Sequence, residues 1–148
     1  MQYRTYEIVL RHLSGVNKGV QIEHTCKRYV WKYKDEPYMK EIMENLDNET
    51  TIMVDGGTHQ DMVEIHRILE ENDINHTYFI EPDLNDCMTA ITVVADERVW
   101  DRENYCLSLD DYIAKYEFHG NIREWFEHVG GEKNAILIDI LKDKKLSL

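Results

Sequence analysis

The sequence predicts an α/β protein in which helices pack on the faces of a mixed β-sheet. The first observation is the order of the elements, because β-forming runs and stretches of helical periodicity follow one another as β, α, α, β, α, β, β. The second is the last run, residues 88–95, which is apolar on both faces and is therefore typical of a central strand. The third is its short connection to the strand predicted over residues 76–80, which favours an antiparallel hairpin.

The first strand and the first helix occupy the start of the chain. Residues 5–10 are rich in β-formers and predict a strand, and Ser14 and Gly15 then open a helix. Residues 34–37 break this helix. Four side chains at spacings of four, seven and four residues lie along one side of this helix, namely Val16, Val20, Lys27 and Trp31. His24 lies on the same stripe.

Two further helices and a strand follow. Pro37 starts a short helix that is predicted to extend to about residue 46. Residues 51–54 predict a strand closed by an Asp-Gly-Gly turn, and Thr58 caps the next helix. That helix ends at residues 72–75, and its predicted buried stripe consists of Met62, Ile65, Ile68 and Leu69.

The chain changes character after the last predicted strand. Residues 99–129 are polar and rich in aromatic side chains, with a predicted helix start at residues 108–111 and a stop at Gly120. We interpret them as a mainly helical insertion. The prediction is therefore one domain over residues 1–148 that carries this insertion.

The last helix is predicted after the Gly130-Gly131 boundary. Asn134 is expected to cap it. Its narrow apolar stripe consists of Ile136, Leu137, Ile140 and Leu141.

Composition limits the class of protein. Hydrophobic residues make up 43% of the 148 residues, which is typical of a globular domain. No stretch approaches the roughly 18 apolar residues of a membrane span, and the N-terminal residues lack the apolar core of a signal peptide. Cys26, Cys87 and Cys106 form no CxxC pair, which argues against a disulfide framework and favours a reducing, cytoplasmic location.

Charge is distributed unevenly along the chain. The formal net charge of −12 argues against a nucleic-acid partner. Residues 1–40, however, hold eight basic and four acidic side chains, so this segment carries +4 and the remainder carries −16. Its bases Lys27, Arg28 and Lys32 are interleaved with aromatic residues. The segment is either a solvated helix face or a local phosphate-binding patch on an otherwise acidic protein.

The common catalytic motifs are absent. The sequence contains no HExxH, GxxxxGK[ST], GxGxxG or GxSxG pattern. His59 and His66 lie seven residues apart on one predicted helix, but a metal site needs further ligands that the sequence alone cannot place, and we predict no metal. His119 and His128 are expected to pack against other residues or to face solvent.

The first candidate constellation runs from residue 15 to residue 24, GVNKGVQIEH. Lys18 lies near the helix start, and Gln21 and His24 are three residues apart on the helix. Backbone N–H groups at a helix start favour an anion, and Lys18 adds positive charge there. The alternative is an ordinary helix start with His24 buried and hydrogen-bonded.

The second candidate constellation is the acidic turn between the last two strands. Asp83 and Asp86 lie just before Thr89 on the predicted central strand. A carboxylate close to a hydroxyl can orient or deprotonate a water molecule. The alternative is a solvated loop acid beside an ordinary β-branched strand residue.

Together, the two constellations resemble the type 2 peptidyl-tRNA hydrolase family. Val20-Gln21-x-x-His24 is similar to the family's Gln-x-x-His-Ala helix. Glu81-Pro82-Asp83-Leu84 followed by Thr89-Ala90-Ile91 is similar to its loop aspartate and strand threonine, in the shorter form of its bacterial and phage-type branches. The C-terminal helix also resembles the family's last helix. The resemblance covers residues 3–96 and, more weakly, residues 130–146.

The resemblance implies a three-layer α/β/α sandwich on a four-stranded mixed sheet. It also implies a cytosolic enzyme without metal or cofactor that hydrolyses the ester between a peptide and tRNA. In that enzyme Asp83 would orient or activate the attacking water, and Thr89 would hold that water or the ester carbonyl. Gln21 and His24 match the helix motif, with a structural role for His24.

The sequence departs from the family at the catalytic lysine. Counting back from His24 places the family's lysine at Gly15 or Asn17, and Lys18 is the candidate that lies one residue further along. Thr25 stands where the family has alanine after the histidine, and a second loop threonine of the family has no counterpart. The insertion also has no equivalent in the family.

Three functions are expected from these observations. The first is a peptidyl-tRNA hydrolase that binds tRNA through the early helix. The second is a catalytically inactive module that binds RNA, or a protein partner through the aromatic insertion, and the third is a hydrolase of a related small ester. No membrane partner is expected, and a homodimer stays an open alternative. The predicted tRNA-binding residues are Asn17, Gln21, His24, Lys27, Arg28 and Lys32.

Overall fold

The helices and strands follow the predicted order. A computed structural model describes residues 1–101, 104–105, 109–115 and 122–147. Its strands are β1 (Tyr3–Leu10), β2 (Thr51–Gly57), β3 (Thr77–Glu81) and β4 (Cys87–Asp96). Its helices are α1 (Gly15–Tyr33), α2 (Pro37–Met43), α3 (His59–Glu71), α4 (Leu109–Lys115), α5 (Ile122–Val129) and α6 (Glu132–Leu141). Every predicted strand is present, and its bounds differ from the prediction by only a few residues.

The four strands form one mixed sheet in the order β2-β1-β4-β3. β1 pairs with β2 in parallel, and β3 pairs with β4 antiparallel. The α/β fold class, the central position of β4 and the β3–β4 hairpin are therefore confirmed. β3 lies at one edge of the sheet.

The chain divides into two units. The sheet unit comprises Tyr3–Val94 and Lys145–Leu148, and the helical unit comprises Met1–Gln2 and Ala95–Lys144. The prediction that they form one domain stays a prediction. No helix in the described ranges combines the length and the apolar character that a membrane crossing requires.

Helices α1 and α3 cover opposite faces of the sheet. Ile8 of β1 lies against α3, because Ile8 and Met62 close the space into which a Cβ at Gly56 would project. The preceding residue, Glu7, must point to the other face because strand side chains alternate. There it lies near Cys26 of α1, whose thiol pKa is raised to about 11 by burial and then by the neighbouring Glu7. The sheet unit is therefore layered as α/β/α.

Helix α3 forms as its sequence predicts. The Thr58 hydroxyl accepts a hydrogen bond from the Asp61 N–H, while the Asp61 carboxylate accepts one from the Thr58 N–H, which completes a capping box. The predicted stripe faces the sheet, with Met62, Ile65 and Leu69 buried. The contact layer on this side of the sheet is apolar.

Helix α1 is oriented differently from the apolar stripe in its sequence. The stripe faces solvent, since Val16 is 79% exposed and Trp31 is 74% exposed. The buried residues are instead Lys18, Gln21, Thr25 and Tyr29. This polar side is buried because the sheet beneath it is also polar, with Glu7 among its buried residues.

Helix α2 is shorter than predicted. It ends at Met43, and a 3₁₀ turn over Leu46–Asn48 follows. Met39 and Ile42 pack with Tyr29 of α1, whereas Met43 is exposed. The predicted apolar positions beyond Ile42 are exposed, Met43 at 48% and Leu46 at 51%.

The helical unit has a core of its own. Tyr112 and Trp125 are buried in a cluster with Val129, Ala135 and Ile138. These two aromatic residues therefore stabilise the unit itself and are not exposed anchors for a protein partner. The predicted helix start lies at Leu109, while the predicted stop at Gly120 and His119 fall outside the described residues.

The start of α6 differs from the prediction. Gly131, with a φ of 122°, is the N-cap, and Asn134 lies inside the helix. The Asn134 amide donates hydrogen bonds to Asp96 and to the Val129 carbonyl, so it joins neighbouring segments instead of capping the helix. The buried face consists of Ala135, Leu137, Ile138 and Leu141.

Candidate functional site

A β-bulge turns Thr89 towards helix α1. The pairing of β3 with β4 shifts register between Phe79 and Ile80, which leaves Thr89 as an extra residue on β4. The Thr89 side chain is fully buried, and its Oγ1 donates a 2.6 Å hydrogen bond to Oε1 of Gln21. Bulges are frequent beside active sites, where they redirect one side chain out of the regular alternation.

Gln21 connects this buried hydroxyl to the surface loop. Its Nε2 donates to one carboxylate oxygen of Glu81 at 3.0 Å, and the other oxygen accepts the backbone N–H of Asp83 at 3.2 Å. These bonds lower the pKa of Glu81, with the Gln21 bond as the largest cause. Glu81 is therefore held as a carboxylate. We call these four residues, Thr89, Gln21, Glu81 and Asp83, the loop network.

Asp83 stands at the solvent end of the loop network. It lies in a 3₁₀ turn over Pro82–Leu84, and its side chain is exposed. Within the described ranges its carboxylate makes no hydrogen bond, so its oxygens can accept a proton or a hydrogen bond from a water molecule. Asn85 and Asp86 follow with left-handed backbone conformations, at φ values of 53° and 56°, which form the tight turn into β4.

Lys18 lies on the buried face of α1, one turn before Gln21. Only 8% of its side chain is exposed, although lysine is rarely buried to this extent. The helix begins as predicted, because the Ser14 hydroxyl accepts the Asn17 N–H at 3.3 Å. Asn17 itself is exposed in the first turn. The structure therefore brings Lys18 to the same helix face as Gln21, while Asn17 faces solvent.

His24 is exposed instead of buried, which corrects the alternative of a buried core histidine. Its ring stacks on Phe79 of β3, with ring centroids 4.4 Å apart and planes at 12°. Arg28 lies over the same ring at 4.9 Å and donates a 3.0 Å hydrogen bond to the Tyr78 carbonyl. These contacts attach α1 to the edge strand. The role of His24 stays a prediction.

Three further basic residues, Lys27 and Lys32 of α1 and its C-cap Lys34, are exposed. Lys27 forms a 2.8 Å ion pair with Glu23, and such exposed pairs contribute little stability. Lys32 lies over the ring of Tyr33 at 5.2 Å. Lys34 lies 4.1 Å from the ring centre of the exposed Trp31. The arrangement is a cationic and aromatic surface along the second half of α1.

The sequence does not predict two contacts. Glu81 has no predicted role, because its contact with Gln21 spans sixty residues and no local pattern reveals it. The second contact joins His66 to His76, because His59 and His66 of α3 have different partners. His59 accepts the Met88 N–H at 3.0 Å, whereas His66 meets His76, a buried residue just before β3 whose pKa is lowered mainly by burial.

Comparison with known proteins adds no functional assignment. No protein-family model matches the sequence. No curated protein matches it either. Among solved structures, the chain is similar to a protein of unknown function, Atu0240 from Agrobacterium tumefaciens, at 11% identity and a TM-score of 0.46, over 100% of this chain and 99% of that one. A likeness at this level carries no argument about function.

Proposed function

We propose that the sheet unit hydrolyses the ester bond of peptidyl-tRNA or of a closely related aminoacyl ester. The observation that carries the proposal is the loop network, in which a buried hydroxyl, an amide and a fixed carboxylate lead to the exposed Asp83. The network fixes the backbone of the turn that carries Asp83, and preorganised groups of this kind need little rearrangement during the reaction. The family resemblance supports the same assignment.

The chemistry requires one base and one source of positive charge. The Asp83 carboxylate takes a proton from water as the water oxygen attacks the ester carbonyl carbon. Lys18 supplies positive charge for the oxyanion that forms. The bond from the carbonyl carbon to the ribose oxygen then breaks, and the proton held by Asp83 passes to that oxygen. The products are a free carboxylic acid and a tRNA hydroxyl.

Thr89 has a positioning role in this proposal. Its hydroxyl is fully buried and donates its proton to Gln21, so it does not reach a substrate in this arrangement. It fixes the oxygen of the Gln21 amide, and this in turn directs the amide nitrogen at Glu81. Glu81 therefore belongs to the site with the same role.

The second half of α1 is suited to the nucleic-acid part of the substrate. The exposed Trp31 shares surface grooves with four basic residues, Lys27, Arg28, Lys32 and Lys34. Basic side chains bind phosphates, and an exposed aromatic ring can stack on an unpaired base. The same surface favours the second candidate function, an RNA-binding module without catalysis.

Hydrolysis of N-acetylaminoacyl-tRNA by the full chain tests the proposal. We expect release of the N-acetylamino acid well above the rate without protein, and its loss by about 100-fold or more in Lys18→Met. Lys40→Met, on the exposed side of α2, is the matched control and should keep the wild-type rate. Salt-dependent tRNA binding without release would overturn the enzyme and favour the RNA-binding module.

A further inference from the structure

Three potential metal ligands meet beside the edge strand, away from the loop network. One ligand atom from each of His66, Glu70 and His76 lies within 4.8 Å of the others. His66 and Glu70 are four residues apart on α3, so they project from the same side of the helix. The chain then turns and returns with His76 just before β3. The buried Ile74 anchors that return.

The histidine tautomers are set by hydrogen bonds. Nδ1 of His76 lies 2.7 Å from the Ile74 carbonyl oxygen, which can only accept, so Nδ1 carries the proton. Nε2 of His76 is then the bare nitrogen, and it lies 2.8 Å from Nδ1 of His66. A carbonyl that accepts the second ring N–H is the usual outer-shell partner of a metal-binding histidine.

We propose that His66, Glu70 and His76 form a divalent transition-metal site of the zinc type. The ligand atoms are His66 Nδ1, one Glu70 carboxylate oxygen and His76 Nε2. Two nitrogens and one oxygen with a fourth open position match the donor set of zinc sites that bind an exogenous ligand. This inference is independent of the proposed hydrolase, because it uses none of the residues in the loop network.

The distances permit this coordination with small movements. Ligands at about 2.0–2.1 Å from a tetrahedral zinc lie about 3.4 Å from one another. The two histidine nitrogens therefore need to separate by roughly half an ångström from their hydrogen-bonded distance. The proton on His66 Nδ1 moves to Nε2 of the same ring, which leaves the imidazole neutral and frees Nδ1 for the metal.

The fourth ligand can be an anion from solvent. A groove of about 610 Å³ opens beside the cluster and is lined by Glu70, His76 and three cations, namely Arg28 and Lys32 of α1 and its C-cap Lys34. These cations oppose a bare metal ion but favour a metal that carries a phosphate or carboxylate. The ring of Tyr78 packs on His66, with centroids 4.3 Å apart, and limits its movement.

Metal titration of the full chain tests the site. We expect one Zn²⁺ per chain by calorimetry, a higher melting temperature with Zn²⁺, and a tetrahedral visible spectrum when Co²⁺ is added. Glu70→Gln and His66→Gln should each weaken Zn²⁺ binding by at least about 10–100-fold, the range that follows even from changes to outer-shell partners.

Two control variants make the titration decisive. Glu71→Gln alters the neighbouring helix residue, and His12→Asn removes an exposed histidine with a residue that tolerates its left-handed φ of 69°. Both should bind Zn²⁺ as the wild type does. Melting temperatures measured in EDTA should show that the metal-free Glu70→Gln and His66→Gln variants remain folded. Wild-type binding no tighter than millimolar, or unchanged binding in those two variants, would overturn the site.

Discussion

The two helices that cover the sheet contact it in different ways. α3 presents Met62, Ile65 and Leu69, an apolar stripe of the usual kind. α1 presents Lys18 and Gln21 among its buried residues and leaves its apolar stripe in solvent. One face of the sheet is therefore held by hydrophobic burial, and the other contains hydrogen-bonded polar groups. Buried polar groups are costly unless they are paired, so the α1 face is where function is expected.

The largest expected effect on stability comes from the α3 face. Met62→Ala removes a fully buried side chain, and we expect the free energy of unfolding to fall by about 2–5 kcal/mol. Hydrolysis by the folded fraction should not change. Urea unfolding measures the effect, with the half-exposed neighbour Val63→Ala as the control. Equal losses in the two variants would contradict the apolar nature of this contact.

On the α1 face, Thr89→Val keeps the shape and removes the hydroxyl. The buried Gln21 oxygen then loses its donor, which should cost about 1–3 kcal/mol of unfolding free energy. The hydrolytic rate should also fall, because Gln21 no longer holds Glu81 in place. Thr51→Val, at an exposed strand position, is the control. A stable, fully active Thr89→Val protein would show that the loop network does not position the site.

Glu7 lies beneath α1 and should give this face a pH dependence. Burial raises the pKa of its carboxyl well above the ordinary value, against the lowering effect of the hydrogen bond from Thr92. The folded protein thus holds this proton more tightly than the unfolded chain, and stability falls as pH rises from the ordinary carboxyl range through the raised pKa. For one proton the slope is at most about 1.4 kcal/mol per pH unit.

The variant Glu7→Gln isolates this contribution. The introduced glutamine side chain retains a polar partner for Thr92 but has no carboxyl proton to lose. The free energy of unfolding of this variant should therefore lack the decrease with rising pH that Glu7 causes. Urea unfolding at several pH values measures the difference, and the exposed Glu41→Gln should behave like the wild type. Identical slopes for Glu7→Gln and the wild type would contradict the assignment.

The smallest expected effect lies on the solvent side of α1. If Lys27 or Lys32 contacts a tRNA phosphate, its replacement by alanine should lower the slope of log affinity against log salt by about 0.7–0.9. Fluorescence titration of tRNA at several salt concentrations measures this slope. Lys40→Ala supplies the control. If the alanine variants of Lys27, Lys32 and Lys40 all keep the wild-type slope, tRNA binds to a different surface of the protein.

The difference between the two faces also explains what the sequence could predict. α3 was predicted well because an apolar stripe and the Thr58 cap both follow from local chemistry. The orientation of α1 was not predicted, since a helix follows its apolar periodicity only when the surface beneath it is apolar. The bulge at Thr89 was not foreseen either, because no glycine or other local signal marks it. The motif resemblance selects Asp83, Thr89 and Gln21, and hydrogen bonds through Gln21 and Glu81 link them in the structure. Their functional roles stay predictions.

The central claim is that Asp83 is the base at the end of the loop network. The most direct test compares Asp83→Asn with Asp86→Asn, since the two acids lie in the same turn and both changes remove one charge without changing shape. Single-turnover hydrolysis of N-acetylaminoacyl-tRNA should fall by about 100–10,000-fold in Asp83→Asn, as expected for a lost general base, and stay near the wild-type rate in Asp86→Asn. Equal rates in the two variants would contradict the account.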